Sequence, residues 1–227
     1  MKKYKRDFLN SKIFTENAFF YAVIRKMFFL LFVNRRIVKG KNNTIDTRGL
    51  LLNSRIKILG NNNVVRYMPG GVAKRINIEI IGDNNVIDIR EYTHFTKTKL
   101  SCWDNKNKII IGKNGNFGES NLTCLEGTKL KIGNGCLVSY GVEIRTSDGH
   151  AIFDMNQNRL NEARDITINN NVWLAQKCLI FKGAKVPSGC VIGANSLVNK
   201  HLDNNNCIYV GSPVRAIRKN IRWTHDR

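Results

Sequence analysis

Proline occurs only three times in 227 residues, and acidic side chains are scarce: 17 Asp plus Glu stand against 37 Lys plus Arg, a formal charge of +20. The shortage of acid excludes an acidic solvating tail. The excess of base leaves two readings, a solvated basic surface or a surface meant for an anionic substrate, cofactor or membrane. The six cysteines (102, 124, 136, 178, 190 and 207) contain no close CxxC pair, which argues against a zinc knuckle or a thioredoxin-like site. They read as reduced, structural side chains of a cytoplasmic protein. No secretory signal is expected, because polar residues interrupt the apolar part of the basic start and no small-residue cleavage site follows. The most apolar run, AFFYAVIRKMFFLLFV, is broken by Arg25 and Lys26 and falls short of the roughly 20 residues that cross a bilayer. No GxSxG elbow is present.

What the chain does have is rhythm. In its last third a branched aliphatic recurs every six residues: Ile168, Leu174, Ile180, Val186, Ile192 and Val198. Two residues before each stands a small or apolar side chain: Ile166, Val172, Cys178, Ala184, Cys190 and Ser196. Helices repeat near 3.6 residues and strands at 2, so a period of six asks for very short strands separated by regular turns. Such units bury their apolar faces only by stacking, as in a solenoid. From about residue 37 looser repeats place aliphatics before Gly60, Gly82, Gly112 and Gly133, followed by Gly, Asn or Asp, which tolerate turn conformations. The segments 91–108 and 146–163 read as loops between repeats.

This divides the chain into residues 1–38, a helical segment; 39–206, the solenoid with a loop near 146–163; and 207–227, a basic tail with a turn at Gly211-Ser212-Pro213 and a short helix. Residues 11–36 are expected to be helical, serving as an end cap, a membrane-interface element or an oligomer contact.

The block from Lys131 to Trp223, with TSDGHAIFD, NRLNEARD, NNNVWLAQ, GANSLVNK and YVGSPVRAIR, resembles the hexapeptide-repeat acyltransferases. Within them it is most similar to bacterial O-acetyltransferases of capsule, lipopolysaccharide or sialic-acid glycans. The resemblance implies an all-β solenoid, a left-handed parallel β-helix, assembled as a homotrimer with acetyl-CoA held between subunits. Asn171 stands where relatives often carry histidine, so any role of that histidine is absent here.

His150, set among polar residues in the break between repeat blocks, matches the family's catalytic base. Imidazole, with an unperturbed pKa of about 6.5, takes a hydroxyl proton near neutrality and returns one to a leaving thiolate. Asp148 and Asp154 are the nearby carboxylates, either able to orient the ring or meet a sugar; Asp148 is the better candidate for the site's frame. Arg159 and Asn161 match a family R-x-N pattern: Asn161 would orient a carbonyl or hydroxyl and Arg159 balance an acidic glycan. Ser139 and Glu143 are supporting candidates. Trp173 lies between inward positions and points outward, as a subunit contact or as a platform for donor or sugar. On the donor side the resemblance implicates Ala175, Gly193, Ala194, Ser196, Lys200, Gly211, Pro213, Arg215, Arg218 and Lys219, the basic ones facing CoA phosphates.

The implied partners are thus acetyl-CoA, an anionic glycan acceptor, further copies of the chain and, through residues 11–36, the inner membrane surface. No metal is expected, since the four histidines (94, 150, 201 and 225) are too scattered for the three-histidine site of a γ-class carbonic anhydrase. N-acetylation of a nucleotide-linked amino sugar is the enzymatic alternative. A nucleic-acid-binding protein is permitted by charge but has no recognition motif to accompany it.

Overall fold

The computed structural model describes residues 33–226 and Val23. The chain winds into a solenoid in which each coil contributes a short strand to three sheets, of eight, seven and nine strands. Sheet 1 runs from Arg35–Lys39 to Leu197–Val198, sheet 2 from Thr44–Thr47 to Lys185–Val186, and sheet 3 from Leu50–Leu52 to a terminal hairpin. Pairing between coils is parallel and in register, so each inward side chain stacks on its counterpart one coil away.

Three ladders fill the prism. Ile56, Ile78, Leu100, Leu122, Ile144, Ile180 and Val198 stack behind sheet 1. Tyr67, Ile89, Ile111, Ile132, Ile168 and Val186 stack behind sheet 2. Ala73, Phe95, Phe117, Val138, Leu174, Ile192 and Tyr209 stack behind sheet 3, where Phe95 and Phe117 lie face to face with centroids 4.9 Å apart. All are buried, and burial of each large aliphatic is worth about 1.5–3 kcal/mol. The expected inward set of the hexapeptide block, Ile166 to Val198 with Cys178, Cys190 and Ser196, is buried throughout, and all six cysteines are buried free thiols. Burial pushes the Cys136 and Cys178 thiols up to about 11, which keeps them protonated.

The corner between sheets 1 and 2 carries a polar ladder. Asn43, Asn63, Asn85 and Asn107 stack so that each Oδ1 accepts both the backbone N–H and the Nδ2 of the next. Gly60 sits at φ +139° beside it, where a Cβ would run into the Gly82 carbonyl.

Register exposes why the six-residue beat is confined to the last third. Sheet 1 partners lie 22 residues apart from Arg55 through Asn77, Lys99 and Asn121 to Glu143, and 18 apart from Leu179 to Leu197. Only the shorter coil is a whole number of hexapeptides. Between Glu143 and Leu179 the spacing is 36, one short coil plus an excursion of equal length.

Three expectations change. Segment 91–108 is not a loop: it contains the strands His94–Thr96 and Lys99–Trp103, an ordinary coil of the longer kind. The C-terminal tail is not helical. Ile208–Gly211 adds to sheet 3, and Val214–Arg218 returns antiparallel along it, because the last coil leaves an open edge that a strand can pair. Finally, Arg35 and Arg36, expected at a helix stop, open the first strand; of the rest of the helix expected over 11–36, all but Val23, Val33 and Asn34 lie outside the described residues.

Candidate active site

The excursion leaves the corner between sheets 1 and 2 after Val142–Arg145 and rejoins at Ile166–Ile168. Its entry is anchored. The buried Thr146 Oγ1 accepts from the Leu125 N–H at 3.0 Å and from the Thr128 hydroxyl at 2.6 Å. The Ser147 hydroxyl donates to Glu126 and accepts the Gly149 N–H at 2.9 Å. Gly149, at φ +85°, then reverses the chain and leaves His150 exposed.

Asn161 clasps the two arms together. Its Nδ2 donates to Asp148 Oδ2 and to the His150 carbonyl, both at 2.8 Å, while its Oδ1 accepts the Ile152 N–H at 2.7 Å. Lys182, from the next coil, braces the clasp: Nζ lies 2.6 Å from Asp148 Oδ2 and 2.9 Å from the Asn161 carbonyl. The Lys182 ammonium, then the Asn161 amide, holds the Asp148 carboxyl below the usual aspartate value. Arg159 reaches Glu126 at 2.6 Å and Glu162 at 3.6 Å. Glu126 is likewise depressed, first by the Ser147 hydroxyl and then by Arg159. Asp154 closes the loop tip, accepting the N–H groups of Asn156 and Asn158 at 2.8 and 2.9 Å. The structure therefore gathers Asp148, His150, Arg159 and Asn161 in one frame, with Asp154 at its far end.

Ser139 and Trp173 meet elsewhere, on the outside of sheet 3, where the indole N–H donates to Ser139 Oγ at 3.0 Å. Glu143 faces out from sheet 1 and accepts from Asn121 at 3.2 Å. The remaining residues line the last coils. Ala175 and Gly193 occupy successive turns, and a Cβ on Gly193 would press on Val210. Ser196 is fully buried, its hydroxyl accepting the Gly211 N–H at 3.0 Å, so it ties the coil to the hairpin. Ala194, Lys200, Pro213, Arg215, Arg218 and Lys219 are exposed.

Four participants escape a linear reading. Glu126 and Lys182 come from neighbouring coils; only the pairing of Arg145 with Phe181 places Lys182 against the loop. Arg145 borders Gly149 through its guanidinium, whose Nε is buried without a hydrogen bond. The fourth is Trp223. The tail beyond the hairpin climbs back along the corner between sheets 2 and 3: Ile221 N–H donates to the Asn206 carbonyl, Trp223 Nε1 to that of Asn171 at 2.8 Å, and His225 contacts that of Gly135 at 3.1 Å. This lays Trp223 against Trp173, centroids 6.0 Å apart. Among the described residues no cluster of three or more His, Cys, Asp or Glu is arranged for a metal, and no helix is long and apolar enough to cross a membrane.

No protein-family profile matches the chain. The polysialic acid O-acetyltransferase of Neisseria meningitidis is 31% identical over 188 residues, which cover 82% of this chain and 87% of that protein. The chain belongs to the left-handed β-helix O-acetyltransferases. Among other O-acetyltransferases, the polysialic acid enzyme of Escherichia coli O1:K1 is 33% identical over 117 residues, 51% of this chain but only 38% of that longer protein. Galactoside O-acetyltransferase of Escherichia coli K12 is 32% identical over 112 residues, 49% of this chain and 54% of that protein. The crystal structures of the polysialic acid O-acetyltransferase OatWY and the polySia-specific acetyltransferase NeuO each superpose with a TM-score of 0.76 at 28% identity. They cover 86% and 85% of this chain and 92% and 89% of their own.

Proposed function

We propose that the protein transfers acetyl from acetyl-CoA to a hydroxyl of an anionic, sialic-acid-type bacterial surface glycan, with His150 as general base. The observation that carries this reading is the exposed His150 whose backbone is held by Asn161, itself fixed by Asp148 and Lys182, in a chain similar over most of its length to polysialic acid O-acetyltransferases. The His150 imidazole takes the hydroxyl proton as the sugar oxygen bonds to the thioester carbonyl carbon. The carbon–sulfur bond breaks and the same proton returns to sulfur, so no covalent enzyme intermediate is needed. Asn161 is a positioning residue, because its amide is fully engaged in fixing the backbone at His150.

For the donor, the exposed Lys200, Arg215, Arg218 and Lys219 beside the last coils suit the CoA phosphates. A homotrimer would bring the two halves of the site together between copies. His150 stands at the corner where sheets 1 and 2 meet, opposite sheet 3, whose outer face carries Trp173. The Trp173 platform therefore serves the His150 of another copy. The exposed apolar side chains of the excursion, Ile152, Phe153, Met155 and Leu160, favour the same assembly, since burial there removes them from water. Residues 11–36 would bring this cytoplasmic enzyme to the membrane surface where surface glycans are assembled.

The test is acetyl-CoA consumption with hydroxyl and amine acceptors, anionic and neutral, alongside His150→Ala and the mass of the assembly in solution. His150→Ala should lose about 10²–10⁴-fold in turnover with CoA affinity retained. Retained turnover would refute the base assignment; preference for amines or for neutral sugars would refute the acceptor.

A further inference from the structure

The outer faces of sheets 1 and 2 treat their lysines differently. On sheet 1 cations meet carboxylates: Lys57 and Lys99 share Glu79 at 3.0 and 3.6 Å, and Lys97, at the turn beside it, reaches Glu119 at 3.2 Å. On sheet 2, Lys108 and Lys129 stand directly opposite each other on adjacent strands. Lys131 lies two residues along the same face as Lys129, and Lys185 follows it one further coil away across Thr167. All four are exposed, and none forms an ion pair among the described residues. Asp165 borders the group and accepts the backbone N–H of Lys129 at 2.8 Å, and His201, two residues before the exposed Asp203, bridges to Lys185. Farther up the face Asp88 pairs with Arg90.

Strands in register are about 4.8 Å apart, so Lys108 and Lys129 repel, and like charges directly opposite destabilise a sheet. Nothing in the packing calls for them, since the inward neighbours Ile109, Leu130 and Ile166 hold the sheet without their help. The row is also continuous with the active-site excursion. Arg164 and Asp165 end that loop and lead into Ile166–Ile168, the strand between Lys131 and Lys185, and the Arg164 guanidinium is exposed beside Gly183.

We infer that the outer face of sheet 2 is a binding track for an extended anionic glycan, holding sugars of the acceptor chain remote from the one being acetylated. Lys108, Lys129, Lys131 and Lys185 form the track, and Arg164 joins it to the catalytic loop. The inference rests on the proposed acceptor and adds where an extended one is gripped, on a surface that a monosaccharide does not reach. Carboxylates spaced along a flexible chain match cations set one coil apart at Lys108 and Lys129 and two coils apart at Lys131 and Lys185, whereas the face lacks the aromatic platforms that stack bases of single-stranded nucleic acid.

The experiment compares the full-length protein with the variant K108Q/K129Q/K131Q/K185Q, using a long α-linked sialic acid polymer and its trisaccharide. The variant should fold at least as well as the parent in thermal melts, because repulsion has been removed. Its KM for the polymer should rise about tenfold, the sum of several exposed contacts, and lose its dependence on ionic strength. Turnover of the trisaccharide should stay unchanged. An unchanged polymer KM in the variant overturns the track and leaves the acceptor reading standing. If neither glycan is acetylated, direct polymer binding by the parent, weakened in the variant, supports the track while the acceptor reading fails. Loss of duplex DNA or anionic vesicle binding with polymer binding intact overturns it.

Discussion

Lys182 Nζ stands 2.6 Å from Asp148 Oδ2, joining a residue of the regular coil to the excursion that carries His150. The same ammonium donates to the Asn161 carbonyl, so one side chain supports both arms of the loop. Its side chain is 13% exposed against 42% for Asp148. The pair therefore matters less through Coulomb energy, which water screens, than through the geometry it imposes.

Replacing Lys182 with Met should lower kcat at least about tenfold while leaving the KM for acetyl-CoA near its starting value, the pattern of a displaced catalytic group. Lys182→Arg should recover part of the loss. Equal kcat in Lys182→Met would show that the excursion holds its shape through Asn161 and Arg159 alone.

The pH dependence of the loop has a definite sign. Asp148 and Glu126 have folded values depressed below the ordinary 3.8 and 4.5. Such groups add stability that is complete above the unfolded value and is lost as pH falls through the folded one. Proteolytic cleavage within 152–160 should thus be constant from pH 8 to 5 and rise only below about 4. A rise between pH 7 and 5 would place control of the loop on some other group.

Trp223→Ala should release one face of Trp173 and diminish the near-ultraviolet circular dichroism of the indole pair. With Trp173 as acceptor platform, KM for the acceptor should rise several-fold and kcat change less. A spectral change without a kinetic one would make the tail a strap only.

Two substitutions test the frame. Ile144→Ala opens the fully buried ladder behind sheet 1 and should cost about 2–5 kcal/mol. Asn85→Ala removes the Oδ1 that accepts the Asn107 backbone N–H in a buried corner, while the residue-85 backbone N–H still donates to Asn63 Oδ1, and should cost about 1–3 kcal/mol. Chemical denaturation reads both. A near-zero cost at Asn85 would mean that water replaces the ladder.

The stacked solenoid was legible in the chain itself because inward positions of short strands repeat with the coil. Ile168 to Val198 announced that repeat, and His150 stood out as the histidine in its interruption. A coil of 22 residues is not a multiple of six, so the core positions Phe95, Leu100 and Cys102 fall outside the six-residue beat and 91–108 reads as a loop. The tail misread for a simpler reason: local composition favours no strand in VRAIR, and only the open edge of Ile208–Gly211 supplies a partner for one.

What the sequence by itself determined was the class of fold, its core positions and the segment that departs from it, since periodicity is written residue by residue. The tertiary structure decided which coils meet. It set Lys182 and Glu126 against the excursion, engaged Asn161 with both arms of it, and laid Trp223 on Trp173. The contacts of Lys182, Glu126 and Trp223 join residues 21 to 52 positions apart, and their partners are chosen by coil register and edge pairing, which no local spacing specifies.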